Sequence, residues 1–273
     1  MISVCAGYYY RNLYIPYTIM TRQQHITLRW YCHWRAILGE FVASSLLLSL
    51  GCLACVPIDG LHQNPPLYAP IGFGMIVILC IEAFGHISGS LMNPAISLAS
   101  VIYGNIPIDL GIAFSIAQCA GATLGYGILL ISSPINLLPG DVCVNQPHPD
   151  HTLLQAVFVE ILFTGALSLV VCAMWDPVNK GKTEAIGLKF GLVVIGLAIG
   201  SGPLGGISMN PAKSLGPAIW TGRWTAHWLY WVGPYIGAIV ATVFYKYIWM
   251  KVEKCKQTTV QALTLDVKGD YCI

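Results

Sequence analysis

The chain has 273 residues, 56% of them apolar and only 10% charged, with a formal net charge of +2. Soluble domains carry about a quarter charged residues, so this composition excludes a soluble globular domain and points to a protein whose solvent is lipid. The small net charge offers no basic surface for nucleic acid, and no nucleotide-binding loop or catalytic triad occurs; the chain is not expected to be an enzyme or to need a cofactor.

Residues 1–34, with Tyr8, Tyr9 and Tyr10, lack the positive-then-apolar pattern of a cleaved signal peptide and read as an N-terminal tail. Apolar stretches follow at 36–56, 68–84, 110–131, 153–174, 185–199 and 228–249. A spanning helix needs about 20 such residues, so six transmembrane helices are predicted, with no soluble domain of useful size left over. A strand barrel would need shorter, alternating segments. Residues 250–273 form a C-terminal tail. Arg11, Arg22, Arg29, Arg35, Lys180, Lys182, Lys246, Lys251, Lys254, Lys256 and Lys268 all fall on one side of this topology. The connections 57–67 and 132–152 on the other side contain no Lys or Arg, and Arg223 alone breaks the asymmetry. Both termini are therefore expected in the cytoplasm.

Cys52, Cys55, Cys80, Cys119 and Cys172 lie in apolar stretches and read as small packing residues. Cys143 is then the one cysteine on the expected outer face, so no intramolecular disulfide is expected there. His148, Asp150 and His151 form an "HPDH" cluster, read as a solvated loop because two histidines and one carboxylate are a weak metal signature. The terminal "DYCI" is no prenylation box, its cysteine standing one residue from the end.

The chain repeats itself. "GEFVASSLLLSLGC" and "VEILFTGALSLVVC" set Glu40 and Glu160 at one point of the first and fourth spans, each twelve residues before a cysteine. Asn93 follows Glu40 by 53 residues and Asn210 follows Glu160 by 50. The halves, 35–132 and 153–249, each hold three spans, and an odd number inverts the second copy in the membrane.

Each half is interrupted by Met-Asn-Pro-Ala, at "GSLMNPAISLAS" and "GGISMNPAKSLGPA". Asn93 and Asn210 suit an N-cap, and Pro94 and Pro211 suit the first helical position, where no N–H is needed. Each motif, with Ala95 and Ala212, therefore starts a half-helix, over 93–103 and 210–220, too short to span alone. Entering from opposite faces, the two half-helices would meet at their N-termini. Their positive ends and the asparagine amides favour neutral, oxygen-bearing solutes over cations.

On these residues the chain resembles the aquaporin, or major intrinsic protein, family over nearly all of 35–249. Its second half is most similar to the insect glycerol-conducting branch, the entomoglyceroporins. The resemblance implies an all-α membrane protein: an aquaporin-like bundle of six transmembrane helices plus two re-entrant half-helices, built as an inverted repeat and assembled as a homotetramer in the lipid bilayer, with the plasma membrane as the default location. It also implies a filter of four residues, transferred by spacing from the two asparagines: Phe73, Ala198, Ile207 and Lys213. Water-selective members carry histidine at the second position and arginine at the fourth. Ala198 removes that imidazole, which implies a wider, more apolar filter admitting glycerol, urea and other small uncharged solutes as well as water. Bacterial-type glycerol facilitators follow the second motif with aspartate, where this chain has Ser214. Lys213 is a flexible point charge in place of a rigid guanidinium; it is compatible with a wider pore, a pH-sensitive gate or poor conduction.

Glu40 and Glu160 are functional candidates as intramembrane carboxylates, but the resemblance implies that they support the re-entrant loops. His86, seven residues before Asn93, reads either as a packing histidine or as lining the cytoplasmic half of the pore. The expected function is a passive channel for glycerol, urea and water. A water-selective channel and a poorly conducting relative with a junctional or adhesion role are the alternatives.

Overall fold

A computed structural model describes residues 22–58, 64–182, 184–205 and 207–250. The C-terminal tail beyond residue 250 and residues 1–21 of the N-terminal tail, with Arg11, Lys251, Lys254, Lys256 and Lys268, lie outside the described residues. Eight α-helices occur among those described: α1 (Arg22–Gly51), α2 (Tyr68–Ser88), α3 (Pro94–Tyr103), α4 (Ile108–Ser132), α5 (Leu153–Trp175), α6 (Ile186–Ser201), α7 (Pro211–Thr221) and α8 (Leu229–Phe244).

Among the described residues, five helical stretches are long and apolar enough to cross a membrane: His33–Cys55, Tyr68–Ser88, Ile108–Ser132, Leu153–Trp175 and Ile186–Leu204. The sixth expected span is α8, whose 16 residues include Pro234. It runs directly into a π-helical turn of 5 residues, Tyr245–Trp249. At about 1.5 Å per residue the two together reach roughly 30 Å, the thickness of the hydrocarbon core. The half-helices α3 and α7 have 10 and 11 residues and cannot span alone.

Polarity runs inside out, as lipid requires. Ile116, Ile131, Leu154 and Phe158 are exposed, whereas Glu40, Gln118, Thr164 and Glu160 are buried. The helices pack as the repeat demands. The first span α1 lies against α4 as its counterpart α5 lies against α8, and α7 packs on α4 as α3 packs on α8. Both long crossings are glycine-mediated. A Cβ on Gly121 or Gly125 would collide with the backbone of Phe41 or Ser45 in α1, and one on Gly237 would collide with Ile161 in α5. Such four-residue glycine spacing lets membrane helices approach backbone to backbone. One end of α3 has an added tie: its C-cap is Gly104 at φ 103°, and Lys246 Nζ donates to the Ile102 carbonyl at 2.7 Å. A cation is favoured at that negative end.

Candidate functional site

The site is built where α3 and α7 begin. Asn93 and Asn210 are extended N-caps with proline at the next position. Asn93 Oδ1 accepts from Ala95 N at 2.9 Å. Asn210 Oδ1 accepts from Ala212 N at 3.0 Å and Lys213 N at 3.3 Å. The caps are then cross-linked. Asn93 Nδ2 donates to the Met209 carbonyl and Asn210 Nδ2 to the Met92 carbonyl, both at 2.8 Å. A carboxamide nitrogen carries two hydrogens, so each keeps a second donor.

Met92 and Met209 are themselves unusual, with φ of 51° and 55°. A left-handed non-glycine residue costs about 1–3 kcal/mol and persists only where its surroundings over-determine it. Here each is held at both ends. Met92 N donates to Glu40 Oε2 at 2.8 Å, and Met209 N donates to Glu160 Oε2 at 2.9 Å, while their carbonyls take the opposite asparagines. The remaining carboxylate oxygens accept from Leu91 N at 2.9 Å on Glu40 and from Ser208 N at 2.6 Å on Glu160. Each buried glutamate thus collects the backbone donors of one re-entrant segment, the compensation a buried carboxylate needs.

The halves differ in the side-chain support of these glutamates: Glu40 also accepts from Ser88 Oγ at 2.6 Å and from Gln118. Gln118 Nε2 donates to Glu40 Oε2 at 2.7 Å and to Ser97 Oγ at 2.8 Å, tying α4 to α3. Gln118 stands three residues before Gly121, and Tyr230 stands three before Gly233, so Tyr230 takes the matching place in the second half. It is buried, and a Cβ on Gly233 would meet Glu160.

Phe73 packs against Gly51, where a Cβ would collide with its ring, and shares a core cluster with Ile207. Ala198 lies near the end of α6, its carbonyl accepting from Ser201 Oγ at 2.9 Å. Ile207 lines a small cavity with His148, Glu160 and Tyr230. Lys213 occupies the first turn of α7, and its Nζ donates to Asn145 Oδ1 at 2.8 Å. Ser214 Oγ reaches the same oxygen at 3.2 Å. His86 is exposed in the last turn of α2. In the "HPDH" segment His148 Nδ1 lies 3.7 Å from the Asp150 carboxylate.

The expectation about cysteines requires correction. Cys52 and Cys143 form a disulfide, with Cα atoms 5.6 Å apart. Cys52 counts as apolar in composition and so was assigned to the interior of the first span. But α1 stops at Gly51, and Cys52 opens a 3-10 turn at the end of the span, level with the connection that carries Cys143. Asn145, Gln118 and the two left-handed methionines were likewise not singled out from sequence. Of these, Gln118 had a readable signal, its fixed distance from the "GATLG" glycines.

Several known proteins are similar to this chain in sequence or fold. The Major intrinsic protein family model matches residues 27–245. Mouse aquaporin-4 is 32% identical over 244 residues, 87% of this chain and 75% of its own. Rat aquaporin-2 is 33% identical over 232 residues, 84% of each chain. Bovine lens fiber major intrinsic protein is 34% identical over 224 residues, 81% of this chain and 83% of its own. The solved aquaglyceroporin from Plasmodium falciparum superposes with a TM-score of 0.70 at 25% identity, covering 79% of this chain and 96% of that one. Paired, cross-linked half-helices within an inverted bundle, together with these matches, lead to one conclusion: the chain belongs to the major intrinsic protein, or aquaporin, family, whose members are membrane channels for water or small solutes and not enzymes.

Proposed function

We propose that the protein is a passive channel for glycerol and urea as well as water, of the kind typified by the insect glycerol-conducting branch. Its filter consists of Phe73, Ala198, Ile207 and Lys213, and the donors of Asn93 and Asn210 stand midway. The observation that carries this reading is the pair of half-helices meeting N-terminus to N-terminus through reciprocal asparagine bonds. Two positive helix ends and two spare amide hydrogens suit a neutral oxygen-bearing solute and oppose a cation.

The preference for glycerol over water alone rests on Ala198, a methyl group where an imidazole would fill the bore. Each protomer of a homotetramer holds its own pore, with both termini cytoplasmic in the plasma membrane. The Cys52–Cys143 disulfide supports that orientation. It lies at the end opposite the Lys- and Arg-rich connections, and disulfides persist on the oxidising side of a membrane.

Labelled glycerol uptake, measured beside osmotic swelling in the same cells, tests the proposal. Water flux without glycerol flux leaves a water-selective channel; neither flux, with protein at the surface, leaves a junctional role.

A further inference from the structure

Residues 141–147 cross the end of the bundle as a strap tied to several different elements. Cys143 is bonded to Cys52 at the end of the first span. The Tyr126 hydroxyl in α4 donates to the Val142 carbonyl at 2.8 Å. Arg223 Nε, beyond α7, meets Asp141 Oδ1 at 2.9 Å. Pro147 forms an isolated antiparallel bridge with Gly205, in the segment leading to the second motif. Between these ties lies Asn145, buried, with its carboxamide oxygen on the Lys213 ammonium.

This strap is held in a costly shape. Asp141 and Cys143 have φ of 50° and 62°, conformations that non-glycine residues keep only under constraint. Its contact with Lys213 is also specific. A lysine ammonium sits on a flexible stem with three donors and no preferred fork, so its position depends on the acceptor offered. The helix N-terminus beneath it repels it. The Asn145 oxygen holds it at the side, and as a neutral acceptor it leaves the positive charge in place.

We propose that Asn145 is a positioning residue for Lys213 and that the Cys52–Cys143 disulfide keeps it there, so that the strap sets solute selectivity and makes it sensitive to reduction. The inference rests on the reading of Lys213 as a filter residue. With the acceptor withdrawn, the ammonium sweeps the mouth and obstructs glycerol, the larger solute, more than water.

The test uses the full chain in vesicles, with the glycerol-to-water permeability ratio read by stopped-flow light scattering and normalised to protein content. Asn145→Ala, Cys143→Ser and wild type treated with a membrane-impermeant phosphine reductant should each lower the ratio about twofold or more, a part of the roughly tenfold or greater factor that one charge-assisted hydrogen bond is worth. Asn145→Asp, which keeps an acceptor, should retain it. In a Lys213→Val background, Asn145→Ala and reductant should have no further effect.

An equal fall in that background overturns the proposal, because Asn145 then acts without Lys213. An unchanged or higher ratio in Asn145→Ala overturns it too, with the filter reading standing if Lys213→Val still alters flux. A Lys213→Val protein that matches wild type in solute ratio and in cation current removes the filter reading, and the proposal with it. Insensitivity to reductant, with Asn145→Ala effective, overturns the role given to the disulfide; the reductant arm uses folded wild type, so poor folding of Cys143→Ser does not obscure the result.

Discussion

The Asn93 carboxamide donates to the carbonyl of Met209, 116 residues away, at 2.8 Å, and the Asn210 carboxamide returns the same bond to Met92. Each asparagine is at once the N-cap of its own half-helix and the clamp on the other. Asn210→Ala therefore removes a cap worth about 0.5–2 kcal/mol and orphans the buried Met92 carbonyl, at a further cost of about 1–3 kcal/mol. We expect a clear drop in the thermal midpoint of the purified protein in detergent. Asn93→Ala should show a comparable drop, since the bonds are reciprocal. A midpoint within error of wild type for both would show that the cross-link contributes nothing.

Ala198→His should tip selectivity toward water. With Ala198 in the filter, as proposed, an imidazole there would narrow the bore and add a donor, so glycerol uptake should fall by about tenfold, corresponding to roughly 1.4 kcal/mol at the barrier, while swelling in water persists. Full glycerol uptake in this variant would place Ala198 outside the filter.

Mercurials provide a check on register. With Cys52 and Cys143 bonded to one another, Cys80 and Cys172 are buried, and Cys55 and Cys119 are half-buried. Thiol reagents should inhibit the native channel weakly. Ile207→Cys should become sensitive if Ile207, three residues before Asn210, stands in the filter as proposed. An Ile207→Cys channel as resistant as its parent would mean that this side chain does not face the pore.

In the proposed filter, Lys213 would add a charge barrier to that of the helix ends. Lys213→Val should leave uncharged-solute flux intact or higher and admit a measurable cation or proton current under voltage clamp. Lys213→Arg, with its rigid fork of donors, should lower glycerol flux relative to water. If neither change occurs, the charge barrier belongs to the half-helices alone.

The glycine crossings predict a purely structural variant. Gly125→Ala forces a Cβ into the Ser45 carbonyl, and Gly237→Ala forces one into Ile161. Overpacking of this kind costs about 1–3 kcal/mol, so each should lower the thermal midpoint without changing the glycerol-to-water ratio of the protein that folds. A changed ratio would show that helix separation is coupled to the bore.

Glu40, Asn93 and their counterparts were legible in the sequence because the repeat states them twice at nearly constant spacing, and because Asn-Pro inside an apolar run has a mechanical meaning. The half-helices accordingly begin at Pro94 and Pro211, next to their caps. The disulfide was not legible. Whether Cys52 belongs to the span or to its end turns on a single residue, Gly51, and hydropathy does not resolve helix ends that finely. Asn145 was hidden for a different reason. It sits in an irregular connection with no periodicity, and its meaning comes only from a lysine 68 positions later.

The reciprocal clamp also orders events in time. When the first half has been synthesised, Glu40 already has Leu91, Met92 and Gln118 to bind. But the Asn93 amide and the Met92 carbonyl have no partners until Met209 and Asn210 exist. The first half alone therefore holds Met92 at one end only, through Glu40. The late arrival of the second motif closes both bonds at once, so a chain stopped before residue 209 leaves the Asn93 amide and the Met92 carbonyl without the partners they have in the whole protein.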